Sequence, residues 1–126
     1  MKLTLMLAVV ASAAAATPAP SLAHHSFAMF DRNKEMTLVG TIKEFQWTNP
    51  HSWIQIVVAT PGKQGVEWNV EGGSPNSLSR RGWSRTSLKP GDQVTVKINP
   101  LKDGKNGGSF VAATLPDGST LGGGGG

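Results

Sequence analysis

Residues 36–47 read MTLVGTIKEFQW, and this stretch decides the fold. Its β-branched and aromatic residues make it a strand, and a long one. Gly40 stands in its interior, where a glycine marks a bulge or a sharp bend. A long strand bent at a glycine suits a small barrel, in which one strand must serve both halves. On its C-terminal side Thr48-Asn49-Pro50 breaks the pattern, and residues 52–60 (SWIQIVVAT) begin a second strand. Residues 61–65 (PGKQG) are a turn by composition. Val66, Trp68 and Val70 then alternate with Glu67, Asn69 and Glu71, which is a half-buried strand with one polar face.

Beyond it, Gly72-Gly73-Ser74-Pro75 reads as a loop, with Asn76 as N-cap of a short helix over Ser77 to Trp83. Leu88-Lys89-Pro90-Gly91-Asp92 turns into a fourth strand, Gln93 to Asn99, whose Val94, Val96 and Ile98 share a face. A Gly-, Lys- and Asn-rich loop over residues 103–108 leads to a last strand, Ser109 to Leu115. The order is three strands, a short helix, then two strands. It predicts an all-β, five-stranded OB-like barrel with its helix between strands 3 and 4. A β-sandwich is the alternative architecture. The barrel domain spans residues 36–121, preceded by an arm at 24–35 and followed by a flexible glycine tail at 122–126. No repeat of fixed period points to a solenoid or propeller.

The N-terminus reads as an export signal. Lys2 supplies the positive charge, and the mostly apolar run from Leu3 to Ala16 has signal-peptide length and is too short to span a bilayer. Pro18 and Pro20 end it, and Ser21-Leu22-Ala23 offers small residues at the cleavage positions. Residues 1–23 are therefore expected to be removed, with a rival cut after Ala16, and the protein to be periplasmic or secreted. No transmembrane segment is expected to remain after cleavage. The chain has no cysteine, so packing alone must hold the domain together. The formal charge of +4 becomes +3 without Lys2, and Arg80, Arg81 and Arg85 supply much of it. That balance suits an anionic surface or ligand, whereas an exported protein is not expected to meet nucleic acid.

Several motifs carry a resemblance. They are HHSF at 24–27, GTIKEFQWTNPHSW at 40–53, GSP at 73–75 with RGW at 81–83, and LKPGDQV at 88–94 with NPL at 99–101. Together they resemble a family of small exported bacterial proteins known only as a domain of unknown function. The resemblance covers nearly all of the chain after residue 23 and implies export and a single domain. It brings no activity with it.

Chemistry must then be sought in the residues. The three histidines, His24, His25 and His51, are the groups that titrate near neutral pH by default. A cut after Ala23 gives His24 a free α-amine beside its imidazole, a ready bidentate chelate. His51, in the junction between strands 1 and 2, is the natural third nitrogen, with His25 as substitute or fourth ligand. Neutral amine and imidazole nitrogens favour copper in its divalent state. Zinc on a three-histidine site is an alternative. So is no metal at all, with His24 and His25 a polar start and His51 hydrogen-bonded to a loop carbonyl. Trp47 and Trp53 flank the Thr-Asn-Pro-His-Ser junction, and Trp83 sits beside Arg81, so Trp47, Asn49, Trp53, Trp83 and Arg81 form a second candidate set, for a small ligand held on aromatic faces. Trp68 is expected in the core, and Glu67 and Glu71 on a solvated strand face without acid–base roles.

No nucleophile motif or phosphate loop occurs, and no residue is assigned as catalytic. The expected function is a small exported binding module, a copper carrier using the N-terminal histidine site. The alternatives are an envelope ligand-binding or structural module without metal, and a copper-dependent oxidase. The small size and the lack of tyrosine weigh against the oxidase.

Overall fold

The computed structural model describes residues 27–123. Its strands are β1 (Met36–Gln46), β2 (Trp53–Thr60), β3 (Lys63–Glu71), β4 (Gln93–Pro100), β5 (Gly107–Thr114) and β6 (Thr120–Gly122), with helix α1 (Pro75–Ser79) between β3 and β4. Hydrogen bonding runs in the order β3-β2-β1-β4-β5-β6. The end of β3 also pairs in parallel with the start of β5, from Asn69↔Gly107 to Glu71↔Ser109, and this closes the first five strands into a barrel. The architecture is the expected OB-like barrel. A sandwich of two separate sheets is excluded by that closing pair.

β1 is the strand that makes closure possible. Its residues 36–41 pair with β4 and its residues 40–46 with β2, so Gly40 and Thr41 are paired on both sides. Gly40 faces Val58 on one side and Val94 on the other. A side chain at Gly40 would run into the Val57 carbonyl and lie 3.0 Å from Ile56 Cγ1, so the missing Cβ lets β2 approach. The bulge itself lies elsewhere, at Lys43, where the register with β2 shifts between Ile42 and Glu44. Inward positions then follow the two-residue period: Leu38 and Ile42, Ile54 and Ile56, Val70, and Val94, Val96 and Ile98 are all buried. In β5, Phe110 and Ala113 are buried three apart because the register with β4 shifts at Val111. The β3–β4 connection adds Leu78, Trp83 and Leu88 to the same cluster.

Several boundaries differ from the sequence-based expectation, and the helix expected to reach Trp83 ends at Ser79. The helix begins earlier, because Ser74 and not Asn76 is the N-cap. The Ser74 hydroxyl accepts from Ser77 N at 3.2 Å, and Pro75 takes the first helical position, where its missing N–H is no loss. β3 starts at Lys63, since Thr60 pairs with Lys63 across a tight turn in which Gly62 takes φ 76°. β5 begins at Gly107. Finally, part of the glycine run expected as tail belongs to the sheet: Gly122 lies in β6, paired with Ala112, and Gly123 N donates to Val111 O at 2.8 Å.

Ahead of β1, Phe27–Met29 form a 3₁₀ turn and Phe30, 6% exposed, bridges to Leu101. The signal peptide expected over 1–23 and its expected cleavage point, like His24 and His25, lie outside the described residues. No helix among the described residues is long and apolar enough to cross a membrane.

Candidate functional site

His51 stands in the junction between β1 and β2, and the fold holds that junction tightly. Thr48 Oγ1 donates to the His51 carbonyl at 2.8 Å. Ser52 N donates to Gly73 O at 2.9 Å, and Gly72 N donates back to Ser52 O at 2.8 Å. The junction is thus laced to the Gly-Gly exit of β3. The His51 ring is pinned as well: Nδ1 lies 3.1 Å from Gly72 O and 3.6 Å from Glu71 Oε1. A carbonyl oxygen can only accept, so Nδ1 carries the hydrogen, and in the neutral ring Nε2 carries the lone pair. An imidazole whose N–H is held by a carbonyl, with a carboxylate nearby, has its tautomer and ring orientation fixed in the way that outer partners fix metal-ligating histidines. The side chain of His51 is 32% exposed, that of Glu71 only 10%.

Glu71 is the residue that sequence reasoning misplaced. It does alternate outward, opposite Val70, but it is buried rather than solvated. Cross-strand pairing puts Gln46, Trp53 and Glu71 in one row on the outer face of β1, β2 and β3. The junction carrying His51 closes over that row's end. The next row along the same face is Glu44, Gln55 and Asn69. Trp53 is half-buried, and its neighbours are amides and carboxylates. Glu67, by contrast, is exposed and receives a 2.8 Å bond from Lys43 Nζ, which raises the lysine above its usual 10.5. Ser52, between His51 and Trp53, is 1% exposed, and its hydroxyl has no hydrogen-bond partner among the described residues.

The remaining candidates are dispersed. Asn49 is exposed in the junction. Trp47 and Trp68 are half-buried and pack against the core cluster. Trp47 meets Phe45 edge-on at 5.7 Å, Phe45 meets Trp83 at 5.8 Å, and Trp83 meets Phe110 edge-on at 5.2 Å. Trp83, weighed as a ligand platform, is 3% exposed and donates Nε1–H to Gly122 O at 3.0 Å, so its ring has no open face. Arg81 is exposed beyond α1. Among the described residues no three His, Asp or Glu side chains gather into a metal-holding group. Any metal at His51 would therefore draw on ligands outside residues 27–123, where His24 and His25 stand.

No curated protein and no solved structure matches the chain. The family comparison does match, with a model covering residues 9–110, across the N-terminal arm, the His51 junction and the barrel as far as β5. The chain therefore belongs to DUF6152, a family of unknown function.

Proposed function

We propose that this protein is a small exported binding module that holds a copper ion, with His51 as the ligand supplied by the barrel and His24 and His25 as the ligands supplied by the arm. The observation that supports this is the pinned His51 ring. Its Nδ1–H is committed to the Gly72 carbonyl with Glu71 alongside, which makes Nε2 the nitrogen that carries the lone pair in the neutral ring. His24 lies three residues before Phe27, a span of at most about 10 Å of extended chain. A bond from His51 to a loop carbonyl also fits a metal-free protein, and metal titration separates the two.

The experiment is a copper(II) titration of the exported protein, after its mass and first residue have been determined. A chain beginning at His24 should bind copper, and both His24→Ala and His51→Ala should lose most of that affinity. Copper binding unchanged in His51→Ala would overturn the assignment, and a first residue of Thr17 would remove the amine-plus-imidazole chelate. Preference for zinc over copper would shift the site to a tetrahedral zinc centre. Reductant-dependent peroxide formation by the copper form would favour an oxidase over a carrier.

The row Gln46–Trp53–Glu71 supports a second reading, a metal-free module that holds a polar ligand on the outer face of β1–β3. Under it, Trp53→Ala abolishes binding of such a ligand, and His24→Ala leaves it unchanged.

A further inference from the structure

Residues 27–123 hold eleven basic and eight acidic side chains, a net charge of +3. That charge is not spread over the barrel. Residues 72–91, the connection from β3 to β4, contain Arg80, Arg81, Arg85 and Lys89 and not one Asp or Glu. The rest of the domain, with seven basic and eight acidic groups, is close to neutral. Four of those seven cations are matched locally: Lys34 with Asp31, Lys43 with Glu67, Lys97 with Glu35 and Lys105 with Asp103. Among the described residues none of the four connection cations forms an ion pair, and all four are exposed.

The connection is also firmly seated. Leu78, Trp83 and Leu88 are 2%, 3% and 2% exposed, so every fifth residue is an anchor in the core, with the three arginines between the anchors and Lys89 directly after the last. Trp83 is tied by its indole N–H to Gly122 O. Ser84 N donates to Ser87 Oγ at 2.8 Å, and Lys89 N to Asp92 Oδ2 at 3.0 Å, which brace the two turns. The cations therefore ride on an ordered base, and only their own side chains must be fixed on binding.

We propose that the β3–β4 connection is a docking surface for a bilayer bearing anionic phospholipid headgroups. Four unpaired cations on one anchored segment match the repeated single negative charges of such a surface. The guanidinium groups of Arg80, Arg81 and Arg85 add bidentate contact to phosphate oxygens. No apolar side chain of the connection is available to insert, since its three large ones are in the core. Attachment is accordingly electrostatic, reversible and salt-sensitive. This surface does not depend on the copper reading, because it uses neither His51 nor the arm.

The test is vesicle co-sedimentation of the purified protein, bearing whatever N-terminus the cell leaves. Three forms are compared: native, Arg80→Gln/Arg81→Gln/Arg85→Gln/Lys89→Gln, and a control with the same charge change elsewhere, Lys34→Gln/Lys97→Gln/Lys102→Gln/Lys105→Gln. Native protein should sediment with phosphatidylglycerol vesicles and not with phosphatidylcholine, and should be released near 1 M salt, where the screening length is about 3 Å. The connection variant should lose roughly fivefold in partitioning per cation, several-hundredfold in all. The control should keep most of its binding. Equal loss in the two variants would reduce the effect to net charge and overturn the proposal. So would native binding that ignores lipid charge, or release by inorganic phosphate at constant ionic strength, which would make the free ion the ligand.

Discussion

Gly40→Ala tests the physical basis of the barrel. The added methyl meets Val57 backbone, not a flexible side-chain end, and Ile56 Cγ1 lies 3.0 Å from it. Because Gly40 pairs with Val58 and with Val94, β1 cannot retreat from β2 without disturbing β4. Overpacking of this kind costs about 1–3 kcal/mol, and the lack of a yielding neighbour places it near the top of that range. Replacing glycine also restricts the unfolded chain, a gain of up to about 1 kcal/mol. The net expectation is a loss of about 2 kcal/mol, or a fall in Tm of about 8–16 °C for a domain of this size. Gly122→Ala is the internal reference. A Cβ there meets nothing within 4 Å, and its φ is not positive, so stability should change by less than about 0.5 kcal/mol. Urea unfolding followed by tryptophan fluorescence measures both. If Gly40→Ala costs no more than Gly122→Ala, β1 does not need the close approach and the account of closure is wrong.

Other substitutions probe the parts around it. Trp83→Ala should destabilise by about 3–5 kcal/mol in the same assay, whereas Trp83→Phe should cost about 1 kcal/mol through the stranded Gly122 carbonyl. Ser52→Ala should leave stability unchanged or raise it by about 1 kcal/mol, because the buried hydroxyl it removes has no partner among the described residues; a clear loss would mean that the hydroxyl is satisfied after all. Asp117 is held below its usual 3.8 by the Ser119 hydroxyl and N–H. Its contribution is therefore full above that value and fades as pH falls through the lower folded-state value, and Asp117→Asn should lack this loss in urea midpoints followed across acidic pH.

The strand pattern was legible because it obeys a two-residue period. Val94, Val96 and Ile98 alternate cleanly and are all buried, and the long run around Gly40 is a single strand as read, although its bulge lies three residues on, at Lys43. What the sequence hid depends on contacts distant along the chain. β6 is invisible because Gly122 has no side chain to show a pattern, and its place is set by β5 and by the Trp83 N–H. Trp83 sits among arginines, which suggests a surface, yet the connection turns it inward between two exposed stretches. Glu71 alternates like a solvated residue, but Trp53 lies opposite it and His51 arrives from a junction that is twenty residues earlier in the chain. His51 itself was legible by residue type. Its orientation was not, since the carbonyl that fixes it belongs to a glycine.

These hidden contacts converge on the β3–β4 connection. Its Gly72 and Gly73 lace the His51 junction, its Leu78, Trp83 and Leu88 fill the core, and its four cations face solvent. Leu78 ties the first of these roles to the second: side chains built on Gly72 and Gly73 would lie 4.0 Å and 3.8 Å from its Cδ atoms, so the helix rests on the two glycines that hold the junction. Leu78→Ala, at a cost of about 2–5 kcal/mol, would therefore loosen together the anchor and the Gly72 carbonyl that holds His51. A loss of copper or of vesicle binding in that variant would say nothing about either site. Substitutions at solvent-facing groups separate them, because removing the His51 ring leaves the cations seated, and neutralising the cations leaves the Gly72 carbonyl where it is.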